Sequence, residues 1–84
     1  MANKARLRLV QVEWLDHCEA DGNAWMTAVE AGACRPAPLL SVGWLVHDGD
    51  GVLVLSGSVS EIDDTVSRPL VLVRACVKSV VDLA

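Results

Sequence analysis

Ser41-Val42-Gly43-Trp44-Leu45-Val46-His47, then Asp48-Gly49-Asp50-Gly51, then Val52-Leu53-Val54-Leu55-Ser56, is the stretch that decides the fold. Two apolar runs flank a turn of Gly and Asp, residues that accept the positive φ angles of tight hairpins, so residues 41–47 and 52–57 are predicted to pair antiparallel. Val42, Trp44 and Val46 share one face by alternation. Leu45 on the other face, and the unbroken run Val52 to Leu55, place apolar surroundings on both sides of the sheet. A simple barrel leaves one of those sides wet.

Upstream, residues 5–14 alternate as a first strand, with Lys4, Arg6 and Arg8 on one face and Leu7 and Leu9 on the other. Beyond Val10 the apolar positions Val10, Val12 and Trp14 move to the face that began basic, which predicts a bulge or a second packing surface. Asp21-Gly22-Asn23 supplies cap chemistry for a short helix over residues 24–31, with Trp25, Ala28 and Val29 on one side. Gly32 suits its C-terminal cap, and Pro36 and Pro38 forbid continuation. That helix is expected to plug one opening of the sheet. Downstream, Leu70 to Val73 and Val77 to Leu83 read as two final strands joined by a tight turn at Arg74-Ala75-Cys76. The sum is a single mainly β domain over residues 1–84, a small five-stranded barrel of the Src-homology-3-like or Sm-like kind with one short helix after the first strand.

Composition narrows the function classes. The 84 residues are 52% hydrophobic with three Trp and no Phe or Tyr, and a domain this small has a thin core that a partner subunit would reinforce. No apolar stretch approaches the ~20 residues of a membrane span, and the basic N-terminus lacks a signal core, so a cytoplasmic protein is expected. Cys18, Cys34 and Cys76 are odd in number and form no C-x-x-C pair, which predicts buried reduced thiols rather than a disulfide framework. The net charge of −4 argues against nucleic acid as a partner. Its distribution is uneven: residues 13–64 hold ten acids against Arg35 alone, and the two ends hold six bases against Asp82.

His17, Cys18, Cys34, His47 and Cys76 are zinc-ligand types, but their spacing matches no zinc site, and Asp48-x-Asp50 lacks the rest of a calcium loop. No metal and no cofactor are expected. No Gly-x-Ser-x-Gly elbow or Cys/His/Asn set is present, Ser56-Gly57-Ser58 reads as a strand end, and the chain reads as a non-enzyme with no catalytic residues. The candidate ligand-binding residues are Lys4, Arg6 and Arg8, aimed one way by period-two spacing, with Arg74 and Lys78 joining them if the first and last strands pair. Such a cluster suits phosphate groups; the alternative is a solvated charged edge.

Val12-x-Trp14-x-Asp16, Trp25, Ser41-Val42-Gly43-Trp44-Leu45-Val46, Val52 to Leu55, Ser58-Val59-Ser60 and Arg74-x-x-Val77-Lys78-Ser79-Val80 together resemble a group of short, uncharacterised proteins encoded by phages and prophages. The resemblance covers residues 9 to 83. Its relatives often carry Ile-Pro where this chain has Leu72-Val73. It implies a phage accessory protein of the host cytoplasm and brings no catalytic residues. Two functions are compatible with these observations. One is a homo-oligomeric protein-interaction module engaging itself and a host or phage protein; the other is a counter-defence protein that binds or sequesters RNA or a nucleotide messenger at the basic surface.

Overall fold

A computed structural model describes residues 7–17 and 25–83. The first strand, β1, runs Arg8–Asp16, a helical turn α1 spans Ala28–Gly32, and the long strand β2 covers Ala37–Asp48. Then follow β3 (Val52–Ser56), a short ribbon of β4 (Ser58–Val59) and β5 (Val66–Ser67), β6 (Leu70–Val73), a 3-10 turn at Arg74–Cys76, and β7 (Val77–Asp82).

The expected hairpin is β2–β3, antiparallel around the Asp48 to Gly51 turn, with the Gly49 N–H donating to the Val52 carbonyl at 3.0 Å. β2 starts four residues earlier than the hydrophobic run because Pro38 sits in the strand, opposite Leu15. Proline is tolerated in a strand whose far edge is open. Trp44 pairs with Ser56 and Leu45 with Leu55, and Val46 is then bulged out before His47 meets Val54. The bulge expected near Val10 falls instead between Glu13 and Trp14, where β1 meets β7.

Five strands form one antiparallel sheet in the order β6-β3-β2-β1-β7, and β4–β5 stands apart as a two-stranded ribbon. β6 and β7, although consecutive in sequence, do not pair with each other. They lie at opposite edges, yet the 3-10 turn between them is only Arg74–Cys76, so the sheet curls until its edges approach. The curl stops short of closure: among the described residues no ladder joins β6 to β1 or β7, and the closed barrel predicted from sequence is an open, curled sheet.

The concave face holds the core. Val10 and Val12 of β1, Leu45 of β2, Leu53 and Leu55 of β3 and Leu72 of β6 are buried, with Trp14, Val77 and Val80 packed against them. The face switch read at Val10 has a simple form here: Arg8, Val10, Val12 and Trp14 share the concave side, and Arg8 sits at the mouth beyond the core, opposite Leu45. Trp14 donates its indole N–H to Ser41 Oγ at 3.0 Å across β1–β2. Gly43 allows a close approach of β2 to β3, since a Cβ there would lie 2.9 Å from the Ser56 carbonyl oxygen.

Ser56 is the one buried polar side chain among the described residues, and it fixes where β3 ends. Its hydroxyl lies 2.8 Å from the Ser58 carbonyl and 2.6 Å from the Ser67 carbonyl, and it accepts from the Ser58 N–H at 3.3 Å. These bonds root the β4–β5 ribbon, which stays close to β2 without joining its ladder. Ser56→Ala leaves those backbone groups without their partner and is expected to cost about 1–3 kcal/mol. Chemical denaturation shows this as a lowered midpoint at unchanged slope.

The helix departs from expectation. It starts at Ala28 rather than residue 24, capped by Thr27, whose Oγ accepts from the Glu30 N–H at 3.1 Å; Asp21 to Asn23 lie outside the described residues. It buries none of its residues, Val29 being 84% exposed and Trp25, ahead of the helix, 90% exposed, so it plugs no opening. One turn with β-branched and small side chains presents too narrow a stripe to compete for the core.

Candidate functional site

Alternation along the strands sends a second set of apolar side chains to the convex face. Leu40 and Val42 of β2 are 65% and 57% exposed, and Val71 and Val73 of β6 are exposed to a similar degree. Between them Trp44 is half-buried beside its cross-strand partner Leu9, and Val81 of β7 joins the band next to Gln11. Ser56, on the same face as its cross-strand partner Trp44, is buried under the β4–β5 ribbon, which flanks these side chains at that point. Trp44 is therefore part of a surface, and Leu45 has the buried place.

The segment Ala37 to Val42 has a further property. It is laddered to β1 on one side, from Ala37 opposite Asp16 to Val42 opposite Gln11. β3 reaches only as far as Trp44 on the other, because the chain leaves at Ser56 into the separate ribbon. That edge carries no ladder among the described residues. An open depression beside it is lined by Gln11, Glu13, Pro38, Leu39 and Leu40.

The basic candidates divide. Lys4 and Arg6 lie outside the described residues. Arg8 donates from Nε to Asp82 Oδ1 at 2.7 Å, and this bond, with a lesser attraction from Asp48, holds the guanidinium above its ordinary value. Arg74 donates to Asp48 Oδ1 at 2.9 Å, and Lys78 Nζ lies 3.6 Å from Glu13 Oε2. β1 and β7 do pair, as the basic cluster requires. The pairing nevertheless puts Lys78 near Glu13, about 17 Å of strand away from Arg8, while Arg8 and Arg74 gather at the other end with Asp48 and Asp82. Arg8, Arg74 and Lys78 thus each face a carboxylate in place of forming one phosphate-sized cradle.

Cys34 and Cys76 are exposed, against the expectation of buried thiols, and Cys18 lies outside the described residues. Cys34 sits just past the uncovered helical turn, and Cys76 ends the 3-10 turn, so neither position is screened by the core. Cys76 borders a groove of about 310 Å³ between Trp14 and Leu15 on β1 and Leu70 and Leu72 on β6, the gap left where the curled sheet fails to close. His17 and His47 are exposed. No group of three metal-ligating side chains occurs among the described residues, and no described helix is long and apolar enough to cross a membrane.

The fold and the surface define a small mainly β protein with an apolar convex face. Compared with protein families, curated proteins and solved structures, the chain matches none.

Proposed function

We propose that this chain is a non-enzymatic phage accessory protein that acts in the host cytoplasm as a homo-oligomeric protein-interaction module. The observation that carries this is the set of apolar side chains exposed on the convex face, Leu40, Val42, Val71 and Val81. Contiguous apolar surface of this kind marks interaction sites on soluble domains.

The plan is Src-homology-3-like or Sm-like. The strand order β6-β3-β2-β1-β7 and the 3-10 link between the last two strands support it, and the resemblance to phage-encoded chains supplies the setting. A phosphate-ligand role draws less support, because Arg8, Arg74 and Lys78 already face carboxylates.

If folding is coupled to association, the melting temperature rises with protein concentration by mass action. Scans between micromolar and hundreds of micromolar are expected to show that rise. A midpoint independent of concentration across the range overturns the proposal.

A further inference from the structure

The turn between β2 and β3 carries two Asp-Gly pairs in tandem, Asp48-Gly49 and Asp50-Gly51. An aspartate followed by glycine has a covalent reactivity of its own. Glycine has no Cβ to screen its peptide nitrogen, so that nitrogen can reach the carboxyl of the preceding side chain and close a succinimide ring. The reaction needs a carboxyl that can rotate toward the nitrogen and an N–H that is not bonded elsewhere.

The fold treats the two pairs differently. Asp48 Oδ1 accepts from Arg74 Nη1 at 2.9 Å, which fixes the carboxylate. The Gly49 N–H donates to the Val52 carbonyl at 3.0 Å. The His47 ring also lies against Gly49, where an added Cβ would meet its Nε2 at 2.5 Å. Both reacting groups of the first pair are therefore engaged. Asp50 and Gly51, in contrast, are exposed at the tip of the turn. Among the described residues the Asp50 carboxylate has no hydrogen bond or ion pair, and the Gly51 N–H has no acceptor. Nothing lies within 4 Å of the place a Gly51 Cβ would take.

From this contrast we infer that Asp50-Gly51 is a site of spontaneous covalent modification, isomerising through a succinimide to isoaspartate in the folded protein, while Asp48-Gly49 is held against the same reaction. The inference is independent of the self-association proposed above. In the first step the Gly51 nitrogen bonds to Asp50 Cγ, and the carboxyl's hydroxyl leaves with the amide proton as water. In the second step one water opens the ring. Cleavage between the nitrogen and Cγ restores aspartate. Cleavage between the nitrogen and the Asp50 main-chain carbonyl carbon leaves the chain routed through Cγ, with the former main-chain carbonyl as a free carboxylate. Water is the only co-reactant, and nothing is oxidised or reduced. The isoaspartyl link inserts one extra carbon into the main chain ahead of Gly51. It thereby displaces the Gly51 carbonyl, which accepts from the Arg74 N–H at 3.0 Å and ties the hairpin turn to the 3-10 turn between β6 and β7.

The test ages the wild-type chain at neutral pH, folded in buffer and unfolded in guanidinium chloride. Isoaspartate is then read in the chymotryptic peptide 46–53 by electron-transfer fragmentation, which separates residue 48 from residue 50. In denaturant both positions are expected to accumulate it. In the folded protein residue 50 is expected to exceed residue 48 about tenfold, because Asp48 and Gly49 must first break their hydrogen bonds. Residue 48 equal to or above residue 50 in the folded protein overturns the inference. So does an unmodified residue 50 over a period in which the unfolded chain accumulates isoaspartate at both. Aged wild type is also expected to melt below fresh protein, whereas aged Asp50→Glu melts with its fresh counterpart, since the longer side chain closes its larger ring far more slowly. An Asp50→Glu protein that loses as much melting temperature on ageing as the wild type overturns the link between this site and the turn's stability.

Discussion

Leu53→Ala is expected to cost about 2–5 kcal/mol, the range for removing a fully buried leucine from a packed core. Leu53 has no exposed surface and stands at the middle of the concave face, paired with Leu72 and neighbouring Leu55 on the same strand. Six buried side chains carry the core of the described sheet, so few neighbours are available to collapse into the space. A domain of 84 residues has about 4–13 kcal/mol of stability in total, and the loss takes a large fraction of it. Thermal or denaturant unfolding measures the effect directly. Trp44→Ala makes the informative comparison: its indole is half-buried on the convex face, so truncation is expected to lower the fold's stability less than Leu53→Ala does. A Leu53→Ala protein that melts with the wild type would mean that the concave face is not the core.

Gly43→Val is the second large effect. Gly43 is buried, opposite Val10 on β1, at the point where β2 passes from the span that only β1 covers to the span shared with β3. A Cβ at this position would approach the Ser56 carbonyl oxygen to 2.9 Å and the Ser56 carbonyl carbon to 3.3 Å. Both are backbone atoms of a residue already fixed by its bonds to Ser58 and Ser67, so the neighbour cannot rotate away. Valine adds two methyl groups to that collision. Overpacking of this kind costs about 1–3 kcal/mol or more, and here relief requires β3 to separate from β2. The expected result is a lower melting temperature together with faster amide exchange at Leu55 and Ser56. Gly43→Val with wild-type melting and exchange would show that the two strands have slack between them.

The residues that made the fold legible are those whose chemistry is local. Asp48 to Gly51 between two apolar runs gave the hairpin, and the alternation of β1 gave its two faces, because turn φ angles and strand periodicity act over a few residues. The apolar character of both sheet faces was equally visible in Val52 to Leu55. Three things were not. The N-terminal extension of β2 was hidden by Pro36 and Pro38, since whether a proline breaks a strand depends on whether its edge is paired, a tertiary property. Which of Trp44 and Leu45 is interior depended on register with β1 and β3, and a shift of one residue exchanges the faces. The fate of the basic residues depended on where Asp48, Asp82 and Glu13 arrive in space, and spacing along the chain contains nothing of that. The candidate site followed the same division: an apolar second face could be inferred from composition, whereas the stretch of β2 without a ladder on one side required knowing that β3 ends at Ser56.

Self-association is the central claim, and light scattering coupled to size exclusion tests it most directly. At micromolar to hundred-micromolar concentration the account predicts a mass that is a whole multiple, two or a small ring number, of the 9.0 kDa chain. A mass equal to the single chain throughout that range would contradict it.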